Sequence, residues 1–454
     1  MSGLCTDLYE LRMAGSYLRR GMVGPATFSL FVRGLPAHRG FLVAAGLRDA
    51  LEFLTGFGFT ADEREYLHAG LGLDTETAKA LAGLRFTGDV WAVPEGRIVF
   101  ADEPLLEVTA PIAQAQLVET GLLNHLTYQT AIASKAARCV LAAGGAQVVD
   151  FSFRRTHGIE ASMAAARVSA IVGFTATSNV EAARRYGLVP TGTMAHSFVE
   201  AFEDERAAFV AFARDFPEGT VFLVDTYDTL DGVRAAIDVA GLVRLGERFG
   251  VRLDSGDLAE LATGARHLLD AAGLPGARIV ASGGLDEYAI ERLVRTGAPI
   301  DAYGIGTKMG VAADGPSLDS AYKLVAYADR PVMKLSVGKA TWPGAKQVWR
   351  AGTTGDDVIG LRAEPRPDER TPLLLPVMAA GEPTGVEDEY GPVDQVPAAR
   401  RRFDADLDQL PAAARRLRHP TPPEPAVSPA LRALRDATAA RLRHANRVGQ
   451  PASP

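Results

Sequence analysis

The sequence predicts a parallel α/β enzyme, and three observations carry that prediction. Four short apolar runs, VFLVDTYDT (221–229), GVRLDSGDL (250–258), RIVASGGLDE (278–287) and IDAYGIGTK (300–308), each end in a polar or glycine-rich phrase. Runs this short and this rich in Val, Ile and Leu, each followed by a helix-like stretch, read as buried parallel strands with crossover helices. Chemistry in such folds gathers where the carboxyl ends of the strands meet. That rule sets Asp225, Arg252, Asp254, Ser282, Gly283, Gly284, Gly304 and Thr307 around one mouth. Finally, a length of 454 residues with 47% hydrophobic content supplies buried cores for roughly two or three domains.

Charge and composition narrow the function. A net charge of −7 argues against a nucleic-acid partner, because phosphate backbones reward a basic face. Only Cys5 and Cys139 are present, too few for a disulfide framework or a cysteine zinc cluster. The start, MSGLCTDLYE, lacks the basic residues and long apolar core of a signal peptide. The most apolar stretch, residues 131–149, carries Lys135 and Arg138, so no membrane span is expected and the expected location is cytoplasmic.

In chain order, Thr6 is expected to cap a first helix, with Asp7 and Glu10 in its opening turn and Leu8, Leu11 and Leu18 on its apolar side. Strands follow at ATFSLFVR (26–33) and across 88–111, broken by Pro94, Glu95 and Gly96. One alanine-rich helix is expected from about Ala113 to Ala143, stopped by Gly144-Gly145. The βα alternation begins at AQVVDF (146–151) and is expected to run to about Leu335. KQVWR and VIGLR then flank AGTTGDD as a hairpin. The expected organisation is an α+β domain over 1–130 joined by 336–400, an α/β domain over 131–335, and a peripheral helical extension over 401–454. Within that extension Ser428-Pro429 starts a helix with Leu431, Leu434 and Leu442 on one side, and the final GQPASP is expected to be disordered.

The chemistry-bearing phrases come next. In GTMAHSF (192–198), Gly192 and Thr193 offer N–H groups and a hydroxyl, Ser197 a second hydroxyl, and His196 is expected one helical turn past Thr193. Alone, His196 reads as a core histidine; among these neighbours it reads as an acid, a base or a phosphoryl acceptor. DFSFRRTHG (150–158) holds Arg154, Arg155 and His157. One arginine is expected to face the pocket with its anion-matching fork, and the other to pair with a structural carboxylate. Asp225 and Asp254 could hold Mg²⁺, bond ribose hydroxyls, stabilise a cationic sugar, or simply cap helices. Arg252 needs an anionic partner at a buried strand end, either a ligand or Asp254. SGG (282–284) and GIGT, with Gly304, Gly306, Thr307 and then Lys308, place small residues where backbone N–H groups can reach a phosphate. From these residues alone the chain is expected to be a parallel α/β enzyme that takes a phosphorylated, otherwise anionic substrate.

The phrases TDLYELRM, GFLVAAGL, LVETGLLNHL, DFSFRRTHG, GTMAHSF, VDTYDT, GVRLDSGDL, ASGGLDE, YGIGTK, YKLV and KLSVGKATWPGAKQVWR, in this order, resemble the nicotinate phosphoribosyltransferase family. The resemblance implies an irregular (β/α) barrel of the type II phosphoribosyltransferase kind with a β-rich N-terminal domain, in a homodimer with sites at the subunit interface. It implies transfer of phosphoribose from phosphoribosyl pyrophosphate to nicotinate, with Mg²⁺ and with ATP as co-substrate. It also implies that Tyr9 reaches nicotinate across the dimer, that Thr193 and Arg252 bind it, that Thr307 contacts the donor, and that His196 is transiently phosphorylated. Ser152 stands where the family commonly has glycine, and the cysteine cluster of some members is absent, so no structural zinc is expected. Three alternatives remain at this point: a nicotinamide or quinolinate phosphoribosyltransferase, a barrel lyase using Lys308 as a Schiff-base nucleophile, and a non-enzymatic binding relative.

Overall fold

A computed structural model describes residues 2–336, 341–367 and 369–448 and divides into two compact units. One comprises residues 1–131 and 317–454, the other 132–316. The final GQPASP lies outside the described residues, as do residues 337–340 of the KLSVGKATWPGAKQVWR phrase.

The second unit is the parallel α/β part. Its strands are β1 (Gln147–Asp150), β2 (Ala176–Thr177), β3 (Val221–Leu223), β4 (Gly250–Leu253), β5 (Arg278–Ala281) and β6 (Ala302–Ile305). All neighbours are parallel, in the order β2-β1-β6-β5-β4-β3. A lone parallel bridge joins Thr177 to Pro190 beyond β2. The sheet is therefore a half-barrel. Register is set by apolar side chains: Phe222, Val251, Leu253, Ile279, Ala281 and Ile305 are all fully buried. The crossover helices Thr229–Leu242, Leu258–Ala271 and Glu287–Arg295 open with Asp228, Asp257 and Asp286, whose carboxylates accept backbone N–H bonds. The alternation stops at the short helix Thr307–Gly310, well before Leu335.

Residues 320–327 belong to the first unit. Ser320–Tyr327 pairs antiparallel with Pro25–Val32, which pairs on its other side with Pro104–Pro111. Asp89–Ala92 and Leu375–Ala379 extend the same sheet. The expected hairpin forms between Lys346–Arg350 and Asp357–Leu361. Helix Val396–Gln409 runs through position 401, and its side chains are built into the unit rather than peripheral to it. Arg402 is fully buried and bonds Asp388, while Asp406 accepts bonds from Arg97, Arg350 and the Ile98 N–H. Later, Ser428 caps the helix Pro429–Val448 through the Leu431 N–H.

Two local expectations need correction. Thr6 does not cap the helix Leu8–Arg19; Asp7 occupies that position, and the Thr6 hydroxyl bonds Glu10 and the Leu117 carbonyl instead. Leu8 is exposed, and the buried residues of this helix are Glu10, Leu11, Ala14 and Gly15. The alanine-rich stretch is two helices, Ile112–Leu117 and Glu119–Ala142, because Val118 takes up the turn between them. The glycine stop holds: Gly144 and Gly145 have φ of 60° and 102°.

Candidate active site

The site is built from what the strands of the second unit present at their carboxyl ends. Arg252 is the third residue of β4, and its guanidinium is engaged on three sides. Nε donates to Ser282 Oγ at 2.8 Å, Nη1 to Thr193 Oγ1 at 3.0 Å, and Nη2 to Asp254 Oδ1 at 2.6 Å. The Ser282 hydroxyl in turn donates to Asp254 Oδ1. The Phe151 ring lies 5.3 Å from the guanidinium carbon, which places an aromatic face against the cation. So the anionic partner of Arg252 is Asp254, and two of its five N–H donors are left for a ligand. Burial pushes the Asp254 carboxyl upward, but the bonds from Ser282 and Arg252 outweigh it and hold the group below the usual carboxylate range.

Asp225 follows β3 and accepts bonds from the Asp254 N–H at 3.1 Å and the Ser255 hydroxyl at 2.5 Å. Neither Asp225 nor Asp254 caps a helix, since Asp228 and Asp257 fill those positions three residues later. Asp225 Oδ1 is buried without a hydrogen-bond partner, and so is Oε1 of Glu205. Glu205 opens the helix Glu205–Asp215, and Phe209 one turn on packs its ring 4.8 Å from Phe222 of β3. Burial, then the charges of Asp225, Asp231 and Asp228, push the Glu205 carboxyl up to about 7. Nothing in the sequence pattern singles out Glu205.

Gly192–Ala195 is a loop that ends extended at Ala195, and the helix begins only at His196. Thr193 and His196 are therefore not stacked on one helical face as expected. Thr193 reaches the site through Arg252, and His196 through its own contact, Nδ1 to Thr226 Oγ1 at 3.2 Å. Ser197 is exposed. Arg154 and Arg155 lie on a 3₁₀ turn, Phe153–Arg155, not on a strand end. Both are exposed, and neither side chain forms an ion pair among the described residues, so the structural carboxylate expected for one of them is not there. Arg154 borders a cavity of about 330 Å³ lined also by Phe151, Phe153, Ser178, Thr193, Met194 and Arg252. Phe151 is the residue that sequence reasoning missed here; the alternation of DFSF could have marked its ring as pointing with the strand-end groups.

Of the two glycine phrases, SGG follows β5 as a turn, whereas Gly304 lies inside β6, paired in register with Val149, so of the GIGT glycines only Gly306 lies beyond the strand. Gly283 has φ of 92°, and a Cβ there would sit 1.8 Å from the Asp254 carbonyl oxygen. Its neighbour Gly284 has φ of 65°. The N–H groups of Gly283 and Gly284 form no hydrogen bond among the described residues, which leaves two donors aimed from one turn. At Gly304 a Cβ would meet the Phe151 ring at 2.5 Å, so glycine lets the ring seat against β6. Gly306 precedes the short helix that Thr307 begins. Lys308 pairs with Asp286 at 2.7 Å. Tyr9 lies on Leu8–Arg19 of the first unit with 49% of its surface exposed, its phenol pushed upward by burial and by Glu119 and Glu10.

With this geometry in place, comparison with known proteins identifies the lineage. Residues 4–127 match the nicotinate phosphoribosyltransferase N-terminal domain, and residues 146–328 match the nicotinate phosphoribosyltransferase family. The chain belongs to the nicotinate phosphoribosyltransferase family. A nicotinate phosphoribosyltransferase of Mycobacterium tuberculosis is 50% identical over 388 residues, covering 84% of this chain and 82% of that protein. The Bacillus subtilis nicotinate phosphoribosyltransferase is 45% identical over 358 residues, 76% of this chain and 72% of its own. Among solved structures, human nicotinic acid phosphoribosyltransferase superposes with a TM-score of 0.83 at 30% identity, covering 95% of this chain and 99% of that one. Nicotinate-nucleotide pyrophosphorylase from Pyrococcus furiosus gives 0.72 at 26% identity, over 90% and 94%. The fold expected from the resemblance is thereby shown, and the chain is an enzyme of this family. No helix among the described residues is long and apolar enough to cross a membrane.

Proposed function

We propose that this enzyme transfers phosphoribose from phosphoribosyl pyrophosphate to nicotinate, giving nicotinate mononucleotide and pyrophosphate, and that a phosphohistidine at His196 couples the transfer to ATP. The observation that carries the reading is Arg252, held at a cavity wall with an aromatic face beside it. A flat aromatic acid needs that pair: a ring surface from Phe151 and a forked cation for its carboxylate. Nicotinamide offers no charge to the fork.

Departure of pyrophosphate leaves positive charge on the ribose and adds negative charge to the leaving group. Asp254, kept ionised by Ser282 and Arg252, together with Asp225, supplies carboxylates for the cationic sugar. The free N–H groups of Gly283 and Gly284, with Arg154 and Arg155, suit the phosphates. A divalent cation fits the donor set: the unpartnered buried oxygens of Asp225 and Glu205 would hold Mg²⁺. Among the described residues no three His, Cys, Asp or Glu side chains converge, so the remaining ligands would be waters and substrate phosphates, the habit of Mg²⁺. When bound, the ion neutralises charge on the pyrophosphate. His196 has one nitrogen engaged by Thr226 and is otherwise free to accept a phosphoryl group. The exposed Tyr9 supports a homodimer in which α-helical residues 8–19 of one subunit serve the partner's pocket, and the cytoplasm is the expected compartment.

The test is direct. The purified chain is mixed with phosphoribosyl pyrophosphate, Mg²⁺, ATP and either nicotinate, nicotinamide or quinolinate, and products are resolved by chromatography. Nicotinate mononucleotide from nicotinate, with little turnover of the others, supports the reading; preference for the amide or the diacid overturns it.

A further inference from the structure

We infer that Ser282 is a positioning residue for acid recognition: its side chain does not bind substrate but fixes which edge of the Arg252 guanidinium faces the pocket. The inference rests on the reading of Arg252 as the grip on the substrate carboxylate.

Ser282 follows β5 and is only 2% exposed. Its single hydroxyl has one proton to give and lone pairs to accept with. The proton goes to Asp254 Oδ1, and a lone pair takes the Arg252 Nε–H. Asp254 Oδ1 also takes an Nη2 proton of Arg252. Nε, Ser282, Asp254 and Nη2 thus close a ring along one long edge of the guanidinium.

A guanidinium has five N–H donors in a fixed fork. Ser282, Thr193 and Asp254 take three of them, leaving two, one on Nη1 and one on Nη2. Those two are the donors available to a carboxylate. Asp254 alone could be gripped along either edge of the guanidinium. The hydroxyl on Nε removes that freedom, because only the Nε–Nη2 edge satisfies both Ser282 and Asp254 at once. The neighbourhood leaves room for this wedge: a Cβ at Gly304 would come within 3.3 Å of Ser282 Cβ.

The experiment compares kcat/KM for nicotinate and for nicotinamide in the wild type, Ser282→Ala, Ser282→Thr and Arg252→Ala, with thermal unfolding of each. Ser282→Ala should lower the acid-over-amide ratio by about tenfold, mainly through the KM for nicotinate, because an ill-oriented fork forfeits roughly one charged hydrogen bond. Ser282→Thr, which restores the hydroxyl, should recover the ratio to within about threefold. A merely structural serine would lower stability and activity toward both substrates together. An unchanged ratio in Ser282→Ala, beside a collapsed ratio in Arg252→Ala, overturns the inference and leaves the reading of Arg252 standing. An unchanged ratio in Arg252→Ala overturns both. Should Ser282→Ala fail to fold, the Thr variant decides: a ratio far below wild type in a hydroxyl-bearing, folded protein contradicts the inference.

Discussion

Replacing Arg252 by alanine isolates the contribution of one cation to recognition of an acid. The side chain is 12% exposed and makes three hydrogen bonds of 2.6–3.0 Å, so its position is fixed before substrate arrives. A hydrogen bond to a charged group contributes roughly 1.5–3 kcal/mol, which is about ten- to 150-fold in catalytic efficiency. Arg252→Ala should lose at least tenfold of kcat/KM with nicotinate and much less with nicotinamide. Its removal also strips Asp254, 28% exposed, of its cation. Because that carboxylate keeps the Ser282 bond and some water, the stability loss should be about 1–2 kcal/mol, below the range for fully buried pairs. Arg252→Lys should recover only part of the loss, since an ammonium cannot reproduce the fork. The assay is steady-state kinetics on both substrates at saturating phosphoribosyl pyrophosphate, beside chemical unfolding. Equal losses on acid and amide would refute the reasoning and make Arg252 a structural partner of Asp254.

Further outcomes follow from other residues. His196→Ala should abolish ATP hydrolysis and the acid-labile, base-stable phosphoprotein while slow uncoupled transfer survives at high donor concentration; ATP consumption in step with product in this variant contradicts the assignment. Gly283→Ala, whose new Cβ would lie 1.8 Å from the Asp254 oxygen, should destabilise the fold by at least ~3 kcal/mol, against about 1 kcal/mol for Gly284→Ala, which meets no atom within 4 Å; equal denaturant midpoints would contradict this. Glu10 is fully buried, and burial raises its carboxyl from 4.5 to about 7 despite bonds from Thr6 and Thr120. The folded state therefore holds this proton more tightly than the unfolded chain. The resulting stability is full below about pH 4.5 and is lost as pH rises through about 7. Relative to Glu10→Gln, the wild type should lose roughly 2 kcal/mol between pH 5 and 8, read by urea unfolding at both values; a constant gap would sink this account.

The strand-end residues were legible because parallel sheets announce themselves. A buried run such as VFLV or RIVA ends abruptly, and whatever polar group follows must sit at the rim. Arg252, Asp254 and Ser282 could thus be placed near one another before any contact was known. Sequence could not divide the aspartates, because Asp225 and Asp228, or Asp254 and Asp257, look alike until the helix starts are fixed. The caps prove to be the later residue of each pair, which frees the earlier for the site. Connections were harder. His196 was expected one helical turn past Thr193, yet the helix starts only at His196, and the bond from Arg252 to Thr193 spans 59 positions of sequence, beyond the reach of any local pattern. Ser320–Tyr327 falls inside the stretch expected to continue the βα alternation to about Leu335, but it pairs antiparallel with Pro25–Val32, a pairing no local pattern encodes. Arg154 and Arg155 were visible by type, and the Phe151 ring could have been found from the alternation of DFSF, whereas the 3₁₀ turn that carries the arginines is a product of the packing.

On the proposed function, the carboxyl ends of β1, β4 and β5 bind a pyridine carboxylate on one side and a ribose phosphate on the other. A crystal structure of the enzyme with nicotinate mononucleotide tests it most directly. The carboxylate should lie within hydrogen-bonding distance of Arg252 Nη1 or Nη2, the ring against Phe151, and the phosphate on the Gly283 and Gly284 N–H groups. A nucleotide seated elsewhere, or one whose carboxylate turns away from Arg252, would contradict it.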